Sequence, residues 1–270
     1  MSTPLRAALQ FICLAWTALI AWPTLAVQDV RIGAAHFPPY TIRPEQGADT
    51  GLLPELVKEL NRIQSDYRFV IVPTSIPRRF RDFEDGRVDM AIFENPDWGW
   101  ENIRHVAVDL GLEDAEVFVA RREGHDQQYF NDLSDKHLAL FSGYHYAFAQ
   151  FNASPEYLAT HFNASLTYSH DSNLLMVLRK RADVALVTRS YLIDFMQRNQ
   201  QEAQELLMSE RVDQVYHHYA LIRPAAPISA EEFSRYLTQL RDAGVMRQIF
   251  EPFRIAVVAA SNGAVIANKP

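Results

Sequence analysis

Between Phe93 and Arg104 the chain reads FENPDWGWENIR, which sets three acids, two tryptophans and an arginine in one short segment. Glu94 is placed to oppose a ligand cation. Phe93, Trp98 and Trp100 offer flat faces for stacking or for a cation, with one tryptophan expected to pack inward and pin the loop. Upstream, His36-Phe37-Pro38-Pro39-Tyr40 presents two more rings from a backbone that two prolines hold extended. Arg78 and Arg79 follow Pro77 at a helix start, where the helix dipole favours acids, so they point to an anionic partner or an acidic neighbour, with a solvated face as the commoner alternative. No nucleophile–base pair and no metal cluster lies between Val70 and Asp109. His217 and His218 are adjacent in an apolar run, and strand geometry sends them to opposite faces rather than to one ion. These residue types suit gripping a small polar molecule.

The elements around them must build a cleft. Asp29–Ala35 reads as a strand, and Leu52–Ile63 as a helix with Leu53, Leu56, Val57, Leu60 and Ile63 on one face. Arg68–Val72 is a second strand, which makes a βαβ unit and a parallel sheet. Ile76–Asp85 is expected to be helical, with Ile76, Phe80 and Phe83 inward, followed by a strand over Val88–Phe93. His105–Leu110 and Glu116–Arg121 read as two strands. After Gly124 a second series begins. It has a strand over His137–Phe141 followed at once by Ser142-Gly143-Tyr144-His145, a helix over Ala147–His161 interrupted at Pro155, and a strand over Leu166–Ser169. A helix over Asp171–Arg179 follows, capped by Asp171 or Ser172, then a strand over Ala182–Val187 leading to Thr188-Arg189-Ser190 and a helix through Asn199. Glu202–Glu210 is amphipathic, and Gln214–Ile222 is a strand. Ser229 with Glu232 forms a capping box ahead of a helix over Glu231–Ala243, and a short last helix starts at Val245. From Ile255 the tail is small, weakly apolar and expected to be poorly ordered.

The ends and the composition bound the function. Arg6 is the one charge before Asp29, an apolar run covers Ala7–Ile20, and Thr24 and Ala26 supply small residues. That pattern is a signal peptide cut after Ala26, with a retained membrane anchor as the alternative. Its removal takes away Cys13, the single cysteine, so the mature chain has no disulfide and no thiol chemistry. The formal charge of −7 argues against nucleic acid as a partner.

Four stretches carry a family resemblance in their order and spacing: IGAAHFPPY with GLLPELVKELNRI; RRFRDFEDGRVDMAIF; DLSDKHLALFSGYHY; and RADVALVTRSYL with SRYLTQLRDAGVMRQIFEPF. Over roughly Val30–Phe253 the chain resembles the periplasmic type 2 solute-binding proteins, specifically the extracellular solute-binding family 3 proteins of polar amino acid uptake. The resemblance implies an α/β, two-lobed periplasmic binding protein-like II fold, in which two doubly wound lobes are joined by two crossover strands. It implies lobe one over 27–118 and 219–254, lobe two over 119–218, and a tail from 255 to 270. In such sheets ligands bind beyond the C-terminal ends of the strands, which selects Phe37–Tyr40, Phe93–Arg104, Ser142–His145 and Thr188–Ser190.

The resemblance also implies roles. Arg104 matches the arginine that grips a ligand carboxylate with both arms, although Glu101 stands where the family has threonine. Ser142, Gly143 and Tyr144 match a turn that offers backbone N–H groups and a hydroxyl to a carboxylate, and His145 extends it. Arg189 departs from the family, which holds an α-ammonium with an aspartate at that place; the change leaves open a carboxylate or phosphate ligand, an acid already paired with Arg189, or loss of high-affinity binding. The expected ligand set is therefore Phe37, Tyr40, Arg78, Phe93, Glu94, Trp98, Arg104, Ser142, Gly143, Tyr144, His145 and Arg189. The implied function is capture of a small polar, anionic or carboxylate-bearing solute in the periplasm for an ABC-type uptake transporter. A sensory module signalling to a membrane protein and a dehydratase-like enzyme on the same fold are the alternatives. Neither a cofactor nor a metal is implied.

Overall fold

Alternating burial defines the first strand, β1 (Gln28–Ala34), whose Val30, Ile32 and Ala34 point into the core. The computed structural model describes residues 27–47 and 50–260 and the backbone of 266–267, so the expected signal segment lies outside the described residues. Helix α1 (Leu52–Ile63) has the bounds its apolar spacing predicts, with Leu52, Leu53, Leu56, Val57 and Leu60 buried along one stripe. Burial of each such leucine is worth about 1.5–3 kcal/mol before chain entropy is charged. Strand β2 (Tyr67–Pro73) pairs in parallel with β1 from Gln28–Tyr67 to Ala34–Pro73. Helix α2 (Arg79–Glu84) is shorter than expected, since a turn occupies Ile76–Arg78, and it leads to β3 (Met90–Glu94), which lies parallel to the other edge of β1. Asp89, just ahead of β3, is buried and receives the Arg31 backbone N–H at 2.9 Å, Arg31 Nε at 2.8 Å and Nη2 at 2.7 Å, and Arg223 Nη2 at 3.0 Å. Burial alone would raise its pKa, but these hydrogen bonds outweigh it and hold the carboxyl below its ordinary value.

Strand β4 (Val106–Arg121) is continuous where two strands were expected. Gly111, at φ +63°, lies within a register shift between Asp109 and Leu112, and the strand bends there without stopping. Lobe two then adds β5 (Leu138–Phe141), α3 (Pro155–Phe162), β6 (Ala164–Thr167), α4 (His170–Leu178), β7 (Val184–Thr188), α5 (Arg189–Arg198) and α6 (Gln200–Glu205). Pro155 begins α3 rather than breaking a longer helix, because the first turn needs no proline N–H. Ser169, not Asp171 or Ser172, caps α4 by accepting from Ser172 N. Strand β8 (Leu206–Ile222) begins well before the expected Gln214 and takes in the second half of the amphipathic stretch Glu202–Glu210. Pairing of Leu206, Leu207 and Met208 with Arg121, Ala120 and Val119 of β4 draws this stretch into the sheet. Helix α7 (Ala230–Asp242) is capped by Ser229 Oγ, which accepts from Glu232 N at 3.1 Å, and α8 (Val245–Phe250) follows.

The strand order is β2-β1-β3-β8-β4-β7-β5-β6, with β4 and β8 running antiparallel to each other through the middle. Four apolar clusters fill the two faces of the two halves. Val108, Leu110 and Leu112 of β4 join the core under α1, α7 and α8, whereas Val117 and Val119, and Phe118 and Ala120, join the two cores beyond. A fourth cluster holds Phe83, Val88 and Trp100. Two short pairings lie beyond Ile255: β9 (Ala256–Val257) pairs with Glu113 and Leu112, and β10 (Ile266–Ala267) pairs with Ala107 and Val106. Among the described residues no helix is long and apolar enough to cross a membrane.

Candidate functional site

Where the cores change over, β4 carries Asp114 and Glu116, two residues apart and so on one face of the strand. Both are buried, at 0 % and 3 % exposure. Asp114 accepts from Tyr40 Oη at 2.7 Å and from Ala115 N at 2.8 Å, and it lies 3.6 Å from Arg189 Nε. Glu116 Oε1 accepts from Thr188 Oγ1 at 2.7 Å and from Tyr216 Oη at 3.3 Å, whereas its Oε2 is buried without a hydrogen-bond partner. Burial raises the pKa of Asp114 in spite of its hydrogen bonds, and it pushes Glu116 well above the ordinary carboxylate range. Neither acid was among the expected site residues. The signal was present, since DAE stands inside a strand that is otherwise largely apolar.

Lobe one supplies one wall. Phe93 ends the regular part of β3 at φ +64°, and the register with β8 shifts between Ile92 and Glu94, which re-aims Glu94. Glu94 pairs with Arg79 at 3.1 Å and accepts from Trp100 Nε1 at 2.9 Å. Burial raises its pKa, against the pull of Arg79 and Trp100. Arg79 donates to the carbonyls of Ile76 at 3.0 Å and Trp98 at 3.2 Å, and its guanidinium lies 4.3 Å from the centre of the Phe80 ring. The expected Arg78 is instead exposed and faces Asp82 at 3.8 Å. Helix phase explains the exchange, because Arg79 and Phe83 are four apart and both are buried. Of the tryptophans, Trp100 is fully buried in the fourth core and Trp98 lines the cleft. Tyr40 is also fully buried, bonded to Asp114 beneath Phe37 and Phe93.

Lobe two supplies the other wall. After β5, Ser142 N donates to Thr167 O at 2.7 Å and Tyr144 N to Phe141 O at 3.3 Å, so two N–H groups of the expected carboxylate turn are spent within the lobe. Tyr144 Oη is buried without a hydrogen-bond partner. His145 has its pKa lowered to about 4, by burial first and then by Arg79. Burial takes His170 down to about 3 and His218 to about 3, so both are neutral. Arg189 lies beside Asp114 at the start of α5. Arg104 is exposed and lines neither cavity described next.

The walls meet around an inner cavity of about 60 Å³, lined by Phe37, Trp98 and Arg79 from lobe one and by Tyr144, His145 and Glu116 from lobe two and the shared strand. Phe37 meets Tyr144 edge-on at 5.6 Å, and Trp98 meets Tyr216 at 5.1 Å. A mouth of about 620 Å³ lies outside it, lined in part by Thr74, Ser75 and Ser142. Ile76, Arg79, Gly143 and His145 line both spaces. Gly143 comes so close to Ile76 that a Cβ there would lie 2.8 Å from Ile76 Cγ2. A separate groove of about 1300 Å³ runs between the lobes along α1 and α5, lined by Lys58, Arg62, Asp194 and Arg198 among others. Small-molecule sites usually occupy about 300–1,000 Å³, so the inner cavity suits a small head group and the mouth suits the remainder. Among the described residues no group of three or more His, Cys, Asp or Glu is placed to hold a metal ion.

No protein-family model matches the chain, and no curated protein matches its sequence. Solved structures do match. A probable amino-acid ABC transporter extracellular-binding protein, ytmK from Bacillus subtilis, superimposes with a TM-score of 0.64 at 15% identity, over 84% of this chain and 99% of that one. A histidine kinase sensor domain with similarity to periplasmic binding proteins gives 0.64 at 18% identity, over 85% and 97%. The GluR0 ligand-binding core, in complex with L-glutamate, gives 0.65 at 14% identity, over 84% and 99%. Strand order, paired crossover strands and these superpositions agree that the chain has the two-lobed α/β fold of the periplasmic binding proteins.

Proposed function

We propose that this chain is a periplasmic solute-binding protein that captures a small polar solute between its lobes and presents it to an ABC-type uptake transporter, without catalysis. The observation that carries the reading is the inner cavity, which is walled by both lobes, floored by a shared strand and lined by the unpartnered polar groups of Glu116 and Tyr144. Buried polar atoms without partners are costly, and a bound solute that pairs with them recovers that cost. The charge of the solute departs from the anion expected above. Arg79 is matched by Glu94, Arg189 lies against Asp114, and Arg104 is outside both cavities, so an anion would have to displace an acid from an arginine.

A second reading, a sensory module that reports a solute to a membrane signalling protein, is supported by the likeness to a histidine kinase sensor domain. The test is a thermal-shift screen of small polar solutes, followed by small-angle scattering with each hit. A solute that raises the melting temperature and draws the lobes together without being consumed supports binding. Chemical conversion of the solute would refute the non-catalytic reading. Transport assays in cells deleted for the chain then separate uptake from sensing.

A further inference from the structure

Two oxygens in the inner cavity are short of hydrogen-bond donors. Glu116 Oε2 and Tyr144 Oη are both buried, both unpartnered, and belong to residues that line the same small space. The aromatic rings of Phe37, Phe93, Trp98 and Tyr144 also line it. A carboxyl group among aromatic rings is the chemistry that recognises an organic cation. The arginine that borders the cavity supplies no net charge, because Glu94 stands 3.1 Å from it.

We propose that the inner cavity holds the primary ammonium head of an amine-bearing solute, with Glu116 as its counter-ion and Tyr144 as a second acceptor. This rests on the solute-binding reading above and names its ligand class. A primary ammonium brings three N–H donors to two oxygens that lack them, which a quaternary ammonium cannot do. Its size fits a space of about 60 Å³, and the polar remainder extends past Ile76 and Gly143 into the mouth, where Thr74, Ser75 and Ser142 offer hydroxyls. The site differs from an acid at the end of β7, because Arg189 stands there and is turned to Asp114. Charged or titratable groups around Glu116 are Asp114 on its own strand, Asp213 and Tyr216 on β8, His170 and Tyr144 from lobe two, and Arg79, Glu94 and His145 at the cavity rim. Burial raises the pKa of Glu116, and an arriving ammonium favours its carboxylate, so binding is accompanied by release of whatever proton the carboxyl holds at the working pH.

The experiment is isothermal titration of the full chain at pH 8 with ethanolamine, choline and acetate at equal ionic strength, repeated in two buffers of different ionisation enthalpy. Ethanolamine is expected to bind with release of up to about one proton per site. Choline is expected to bind at least tenfold more weakly and acetate to give no heat. Glu116→Gln should weaken ethanolamine at least tenfold without lowering the melting temperature. Tyr144→Phe, which keeps the ring, should weaken it by a smaller factor and serves if the first variant fails to fold. Absence of ethanolamine binding, equal affinity for acetate, or unchanged affinity in both variants would overturn the proposal. If a solute without an amine binds the native chain and Glu116→Gln alike, the ammonium site is refuted and the solute-binding reading stands. If no solute binds at all, both fall.

Discussion

Gly143→Ala should drive the lobes apart while leaving each one folded. Two costs arise, and they act in different places. Gly143 has φ +86°, so an alanine there carries roughly 1 kcal/mol or more of backbone strain inside the lobe-two turn. The new Cβ would also lie 2.8 Å from Ile76 Cγ2, on the opposite lobe. Carbon atoms in contact sit about 3.5–4.0 Å apart, so the overlap is close to 1 Å. Ile76 is β-branched and resists rotation. Overpacking of this kind costs about 1–3 kcal/mol if the contact is kept, which is equivalent to roughly a 5- to 150-fold shift away from the apposed arrangement. The strain lowers the melting temperature by about 2–4 °C per kcal/mol for a chain of this size. The overlap instead raises the radius of gyration and lengthens a distance measured between labels on the two lobes. Adding Ile76→Ala to Gly143→Ala removes the overlap but not the strain, so it should restore the compact scattering curve while the melting temperature stays low. Identical scattering from native and Gly143→Ala protein, or a double variant that stays expanded, would refute the reasoning.

Asp89→Asn should cost about 2–3 kcal/mol in urea denaturation at pH 7, less than a fully buried pair because Arg31 and Arg223 are 38% and 22% exposed and can rehydrate. Since the folded carboxyl titrates below its ordinary 3.8, the native advantage should be full above that pH and vanish as the pH falls through the lowered value. Glu116→Gln should have the opposite profile. The folded pKa is raised above 4.5, so native stability falls as pH rises from there, and the variant's relative denaturation midpoint should climb as the pH is raised above that value. Arg104→Ala should change stability by no more than about 0.5 kcal/mol, as for other exposed sites. Arg79→Ala, which strands Glu94 in the interior, should cost about 3 kcal/mol or more by thermal and chemical melting.

Local rules made much of the fold readable. Helix α1 follows from leucine spacing, α7 from Ser229 and Glu232, and the βαβ order from strand and helix periods. What a strand pairs with is not local, so the strand through Leu206–Met208 is legible only from Gln214 onward, and the bend at Gly111 reads as a break. The cleft was legible in its loops and less so in its charges. Phe37, Phe93, Glu94, Trp98, Gly143, Tyr144 and His145 all line the inner cavity, and Ser142 lines the mouth. Arg78 and Arg104 do not, because a guanidinium on a helix or loop is directed by phase and by partners distant in sequence. Tyr40 and Arg189 were seen as ligand groups, yet both are turned to Asp114, an acid that only the pairing of β4 with β8 brings beneath them. Asp114 and Glu116 could have been found from two acids at period 2 in an apolar strand.

The unequal sourcing of the two lobes sets an order of assembly. Strands β5–β7 and helices α3–α6 come from one uninterrupted stretch, so the second lobe needs little beyond its own segment and the adjoining ends of β4 and β8. The first lobe is split. Leu53, Leu56 and Leu60 of α1 share a core with Phe233, Leu237 and Phe250, which are synthesised near the end of the chain. A polypeptide that emerges N-terminus first can therefore cover the apolar stripe of α1 only in part, with Val30, Ile32 and Phe69 of β1 and β2, until α7 and α8 have appeared. Contacts between such distant segments also slow folding. The early segment is thus where aggregation or a holding chaperone would act, and the last two helices are the step that ends that exposure.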